Sequence, residues 1–64
     1  MQKKYTVKNI YGIAGESTHR TPEAALRARD RREGDGWVVE DDDGYQWGWR
    51  PADDGSGKIA VRGN

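Results

Sequence analysis

The chain has no cysteine and no phenylalanine, and its 64 residues include one leucine, one methionine and one histidine. Without cysteine there is neither a disulfide nor a thiolate-metal staple, so a few large side chains must hold the fold together. That absence fits a reducing compartment and a cytoplasmic protein. Apolar runs are only a few residues long, far from the roughly 20 that span a bilayer. The start, Met1-Gln2-Lys3-Lys4-Tyr5, has basic residues but no apolar segment after them, which argues against a signal peptide. A single histidine excludes paired-histidine metal motifs, and Gly12-Ile13-Ala14-Gly15 is too short for a phosphate loop and lacks its lysine. Ser17 and Thr18 adjoin His19 in sequence, but no third group completes a triad, and His19 reads as an exposed loop residue. One small domain also leaves little room for a substrate pocket of the usual size. The expectation is no enzyme, no cofactor and no metal site.

What the chain does have is concentrated between Trp37 and Trp49. This stretch holds all three tryptophans and the densest acidic run, Glu40-Asp41-Asp42-Asp43. It reads as an aromatic β-hairpin turned at Asp43-Gly44, with strands at about 37–41 and 45–50 and Pro51 closing the second. Alternation over about 3–11 predicts a first strand with a largely polar face, with a bulge near Gly12 or a second buried side to explain Ile10. Gly12 to Arg20, rich in glycine and small polar residues, reads as a loop. Thr21-Pro22-Glu23 is a helix start: a hydroxyl acceptor, a proline whose missing N–H is not needed, and an acid at the positive dipole end. The helix should run over about 22–33 and stop at Gly34. A last strand occupies about 58–62, after the turn Asp53-Asp54-Gly55-Ser56-Gly57. The sum is one α+β domain spanning 1–64, order β-α-β-β-β. A single helix packs on one face of a small, mostly antiparallel sheet, with the position of the first strand left open.

Tyr45, Trp47 and Trp49 share a face of their strand. They form either an exposed stacking platform for bases or sugars, or the core beneath an alanine-rich helix. Burial decides for the core in at least two of the three, since little else is large enough, with Trp49 a candidate for the rim. Gly48, in the opposite phase, leaves a bare patch on the other face. The acidic run has contiguous acids where calcium loops want alternate ones, so it is either a solvated turn or a contact for a partner's basic groove. Arg27 and Arg31 share one helix face and could touch phosphate, but Asp30 and Glu33 dilute the patch.

Zero net charge and a pI near 6.6 lack the basicity of a nucleic-acid binder. The zero conceals segregation: residues 1–32 carry +5, residues 33–54 carry −7, and the tail adds +2. These features predict a small interaction module that binds a protein partner through charged surfaces. Candidate contacts are Glu40, Asp41, Asp42, Asp43, Arg27, Arg31 and Trp49. The alternative is nucleic-acid binding through the helix arginines with Lys3, Lys4 and Lys8. The chain is expected to be a monomer, or a homodimer paired at a sheet edge. In outline, a strand, a helix opened by Thr-Pro-Glu and an antiparallel hairpin, it resembles small phage or prophage accessory proteins. Among them are anti-CRISPR inhibitors that bind bacterial defence complexes through charged surfaces. The resemblance covers the layout of the whole chain but no motif, so it assigns a role to no residue.

Overall fold

The computed structural model describes residues 3–63; Met1 and Gln2, part of the stretch read against a signal peptide, and Asn64 lie outside it. The fold is α+β, with one helix packed against a five-stranded antiparallel sheet. In chain order the elements are β1 (Tyr5–Asn9), β2 (Ser17–His19), α1 (Pro22–Asp30), β3 (Trp37–Asp41), β4 (Gln46–Pro51) and β5 (Lys58–Arg62). The sheet order is β2-β1-β3-β4-β5. β1 is therefore an interior strand between β2 and β3, with Val7 opposite both Ser17 and Val39. The molecule is 19 Å along its shortest axis, about the depth of one helix layer on one sheet layer.

Strand β2 departs from the loop expected over 12–20. Ser17-Thr18-His19 has no apolar alternation of its own; it is a strand because it hydrogen-bonds along β1. No bulge accounts for Ile10. The chain turns after Asn9, with Gly12 N–H donating to Asn9 C=O, while Ile10 N–H bonds Gly36 C=O. Glycine is favoured at position 36 by its left-handed backbone. Its φ is +89°, and a Cβ would lie 2.6 Å from the Tyr11 ring.

The helix opens as its sequence requires. Thr21 is extended and its hydroxyl accepts from Ala24 N–H at 3.1 Å, with Pro22 in the first turn. It ends at Asp30, earlier than the Gly34 stop expected. Arg31 and Arg32 N–H bond the carbonyls three residues back, and Glu33 C=O is taken by the Trp37 indole. The tightened turn feeds the chain directly toward β3.

Ala25 and Leu26 of α1 are buried against Tyr5, Val7 and Val39, and Trp37, Trp47, Trp49, Ala28 and Ala60 pack around this cluster. Small alanines bring the helix close enough to touch all five strands. Pro51 sits where its missing N–H does no harm. Bonds from Ala52 N–H to Gly57 C=O and from Gly63 N–H to Gln46 C=O set the alternation of the β4–β5 ladder. By that alternation Pro51 and Lys58 form a pair that exchanges no hydrogen bonds. Among the described residues no helix is long and apolar enough to cross a membrane.

Leu26 is the only large aliphatic that α1 buries, so Leu26→Ala should cost about 2–5 kcal/mol. Chemical denaturation monitored by tryptophan fluorescence should show the variant largely unfolded without denaturant, given how little a domain of this size has in reserve.

Candidate functional site

The hairpin that concentrates aromatics and acid divides its residues between inside and outside. Asp41 N–H bonds Tyr45 C=O and Gly44 N–H bonds Asp41 C=O, which makes a three-residue loop, Asp42-Asp43-Gly44, with only Gly44 at positive φ. That is a type I turn followed by a left-handed glycine. The Asp41 side chain organises it. Its Oδ1 accepts from Asp43 N–H at 2.9 Å and Tyr45 N–H at 3.0 Å, and its Oδ2 from Trp47 Nε1 at 3.0 Å. The indole bond, with the two backbone bonds and Lys3 helping, holds this carboxyl below its ordinary pKa against the opposing effect of desolvation. Expected at an exposed tip, Asp41 is instead buried and turned into the hairpin, while Asp42 and Asp43 remain exposed.

The exposed acids are met from β1's side. Lys3 Nζ lies 3.1 Å from Asp43, which raises the lysine's pKa, and Lys4 N–H donates to Asp42. Glu40 points to the sheet face opposite the helix and pairs with Lys8 at 2.7 Å. Among the described residues no three His, Cys, Asp or Glu side chains are grouped to hold a metal.

The helix arginines lie elsewhere. Arg27 and Arg31 are exposed, and Arg31 Nε reaches back to Arg27 C=O. Arg29 is folded onto Asp30 at 2.9 Å. Arg32 stacks over the Trp37 ring at 5.2 Å. Trp49 is half-buried, donates to Asp30 Oδ2 at 2.8 Å and lies under the Lys58 ammonium at 4.9 Å. Burial alone would raise the Asp30 pKa; the bonds from Arg29 and Trp49 outweigh it and lower it. Tyr45, expected to open the strand, lies just before β4 and is 41% exposed beneath the Arg62 guanidinium. The seven candidate contacts thus fall into separate regions: Asp42 and Asp43 at the tip, Glu40 on the bare sheet face, Arg27 and Arg31 on the helix. Asp41 and Trp49 belong to the packing between sheet, turn and helix.

His19 is half-buried on β2 rather than in a loop, with Nε2 at 2.8 Å from Ser17 Oγ. That hydroxyl also accepts from Arg32 Nη2 at 3.0 Å. A serine bonded to histidine is half of a nucleophilic site. Here the serine's lone pair is already engaged by a guanidinium, and no described group orients the far side of the ring. The pair ties β2 to the end of the helix.

One surface was only partly visible in the sequence. The helix covers one face of the sheet; the other carries Thr6, Lys8, Val38, Glu40, Gln46, Gly48, Arg50, Ile59 and Val61. Gly48 faces Val61, and the β3–β4 register brings Val38 beside Gly48, so these residues make an apolar strip. Ile59, 50% exposed, extends it along the edge strand β5, where Arg50 of β4 stands opposite. A Cβ at Gly48 would meet nothing within 4 Å and its backbone is ordinary extended chain, so the strip has a shallow floor at its centre. The phase of Gly48 against the aromatics was the available signal; the position of β1 was needed to complete it.

Compared with known proteins, the chain matches no family model, no curated protein and no solved structure.

Replacing Asp41 with asparagine puts an amide donor against one of its three donors. Asp41→Asn should therefore lower the thermal midpoint while leaving the exposed tip's charges in place. The sign of the pH effect follows from a folded-state pKa below the ordinary one. Asp41 contributes stability above the unfolded-chain pKa of about 4, and that contribution is lost as pH falls through the lower folded value. Melting curves from pH 6 to pH 2 should fall less steeply for Asp41→Asn than for the native chain.

Proposed function

We propose that this chain is a small, non-enzymatic interaction module that binds a protein partner. The observation that supports this most is the bare sheet face, an apolar strip of Val38, Gly48, Val61 and Ile59. A charged edge flanks it at the Lys8–Glu40 pair. Apolar surface ringed by polar groups is the character of protein interfaces. Nucleic acid calls for exposed cations and stacking rings on one surface. Here the rings lie on the helix side, and Arg29, Arg32, Lys58 and Arg62 are folded onto Asp30 or onto aromatic faces. Arg27 and Arg31, with Lys4, Arg20 and Arg50, are exposed without an acid partner among the described residues and favour the nucleic-acid alternative. Inhibition of a defence complex by a phosphate-mimicking acidic tip is less supported. Asp41 is buried, and Asp42 and Asp43 already have basic or N–H partners.

Gly48→Lys separates the readings, because the position has room for a side chain and no conformational need for glycine. The variant should fold with native or slightly higher stability. A photoreactive side chain at position 48 should crosslink a protein in cells of the native source, at a contact that Val61→Asp abolishes. One at Ser56, in the β4–β5 turn, should not. No anisotropy change is expected with duplex or single-stranded DNA or RNA at low salt. Tight nucleic-acid binding that Arg27→Ala and Arg31→Ala remove would overturn the proposal.

A further inference from the structure

A second site lies at the end of the sheet where the chain passes from β2 into the helix. Lys3, Lys4, Thr18, His19 and Arg20 line an open cleft of about 320 Å³. No carboxylate lines it. Among the described residues Lys4 and Arg20 form no ion pair, and only Lys3 does, with Asp43. Bringing three cations to one concavity costs electrostatic repulsion; Asp43 offsets it at Lys3 alone, and a bound anion would offset the rest.

The donors are of several kinds. Arg20 offers a planar fork suited to two oxygens of one group, the lysines offer point charges, and Thr18 offers a hydroxyl. His19 adds a ring nitrogen. Ser17 accepts from Arg32, so its own hydroxyl proton can be given to His19 Nε2. With Nε2 as acceptor, the neutral ring carries its proton on Nδ1, a donor not used by any described partner.

We infer that this cleft binds the phosphate group of a small ligand. More than one cation exceeds what a monocarboxylate needs and suits an anion carrying two charges. The volume is at the lower end of ligand pockets, enough for a phosphate with an attached group of about nucleotide size. The acidic tip enters as a competitor. Asp43 holds Lys3 at one wall, and Asp42 accepts from the Lys4 backbone beside it. An incoming phosphate must share or displace Asp43 at Lys3.

The test is an amide chemical-shift titration with inorganic phosphate, against chloride at matched ionic strength, followed by pyrophosphate, AMP and a short oligonucleotide. Saturable shifts confined to residues near 3–4 and 18–20 are expected with phosphate and not with chloride. AMP binding more tightly than inorganic phosphate identifies a phosphate ester as the ligand; the reverse order identifies the free anion. Lys4→Gln with Arg20→Gln should abolish the shifts, and Arg27→Gln with Arg31→Gln should leave them. Asp43→Asn should tighten binding about two- to fivefold, the effect of freeing one exposed ion pair. Shifts that chloride reproduces, or that survive Lys4→Gln with Arg20→Gln, overturn the site. An oligonucleotide that binds more tightly than AMP overturns the small-ligand assignment.

Discussion

Three indole N–H groups hold this fold to one arrangement. A chain with one leucine and no phenylalanine must use tryptophan for bulk, and each indole brings a donor that wants a partner where it is shielded. Trp37 donates to Glu33 C=O just beyond the helix, Trp49 to Asp30 at its last residue, and Trp47 to Asp41 in the hairpin turn. Two of these bonds therefore fix the C-terminal end of α1 over β3 and β4, and the third fixes the turn joining those strands. The rings do the packing and their edges set the geometry. Tyr5 meets Trp47 edge to face at 5.4 Å, which carries the same constraint into β1.

The cations complete the aromatic layer. Arg32, Lys58 and Arg62 lie over Trp37, Trp49 and Tyr45, covering rings that one short helix is too narrow to cover. The segregation of charge along the sequence is resolved by pairing β1 with β3. That register puts Lys8 near Glu40 and carries Lys3 and Lys4 to the acidic tip. Exposed pairs of this kind contribute about 0–1 kcal/mol each. Their larger effect is on the surface. They neutralise Asp43 at the tip and Glu40 on the bare face. Arg27 and Arg31 on the helix, Lys4 and Arg20 at the cleft and Arg50 on the bare face are left as exposed cations with no acid partner among the described residues.

How far the sequence could be read follows from where each signal lies. Thr21-Pro22 is a local signal, since the hydroxyl acceptor and the missing N–H act within one turn, and the helix starts where expected. The hairpin strands and β5 were legible because aromatic and β-branched residues alternate there. β2 was not, because Ser17-Thr18-His19 becomes a strand only through its partner β1. Asp41 is indistinguishable in sequence from its exposed neighbours, because all four acids look alike. What separates it is strand parity, which aims it at the helix side beside Trp47, and the three donors found there. The helix end is hidden for a similar reason: Trp37, several residues on, takes the Glu33 carbonyl.

One helix can cover only one face of a five-stranded sheet, so an uncovered face is a consequence of chain length. Its composition is a separate matter. Thr18, Thr6, Lys8, Glu40, Gln46 and Arg50 make much of it polar, as a solvated face requires, but its apolar residues are gathered rather than scattered. The row through Lys8, Val38, Gly48 and Val61 becomes apolar toward the edge strand β5, and Ile59 adds to it along that strand. The edges are poor templates for another strand. β2 is three residues long, and β5 begins and ends with Lys58 and Arg62, whose like charges would oppose each other across an antiparallel pairing of two copies. With both edges blunted and the helix face filled by tryptophan, the apolar row is the part of the sheet that still offers hydrocarbon to a partner, apart from Ile10, Tyr11 and Ile13, which stand exposed in the loop after β1. Glycine at the centre of the row lets that partner approach the backbone itself.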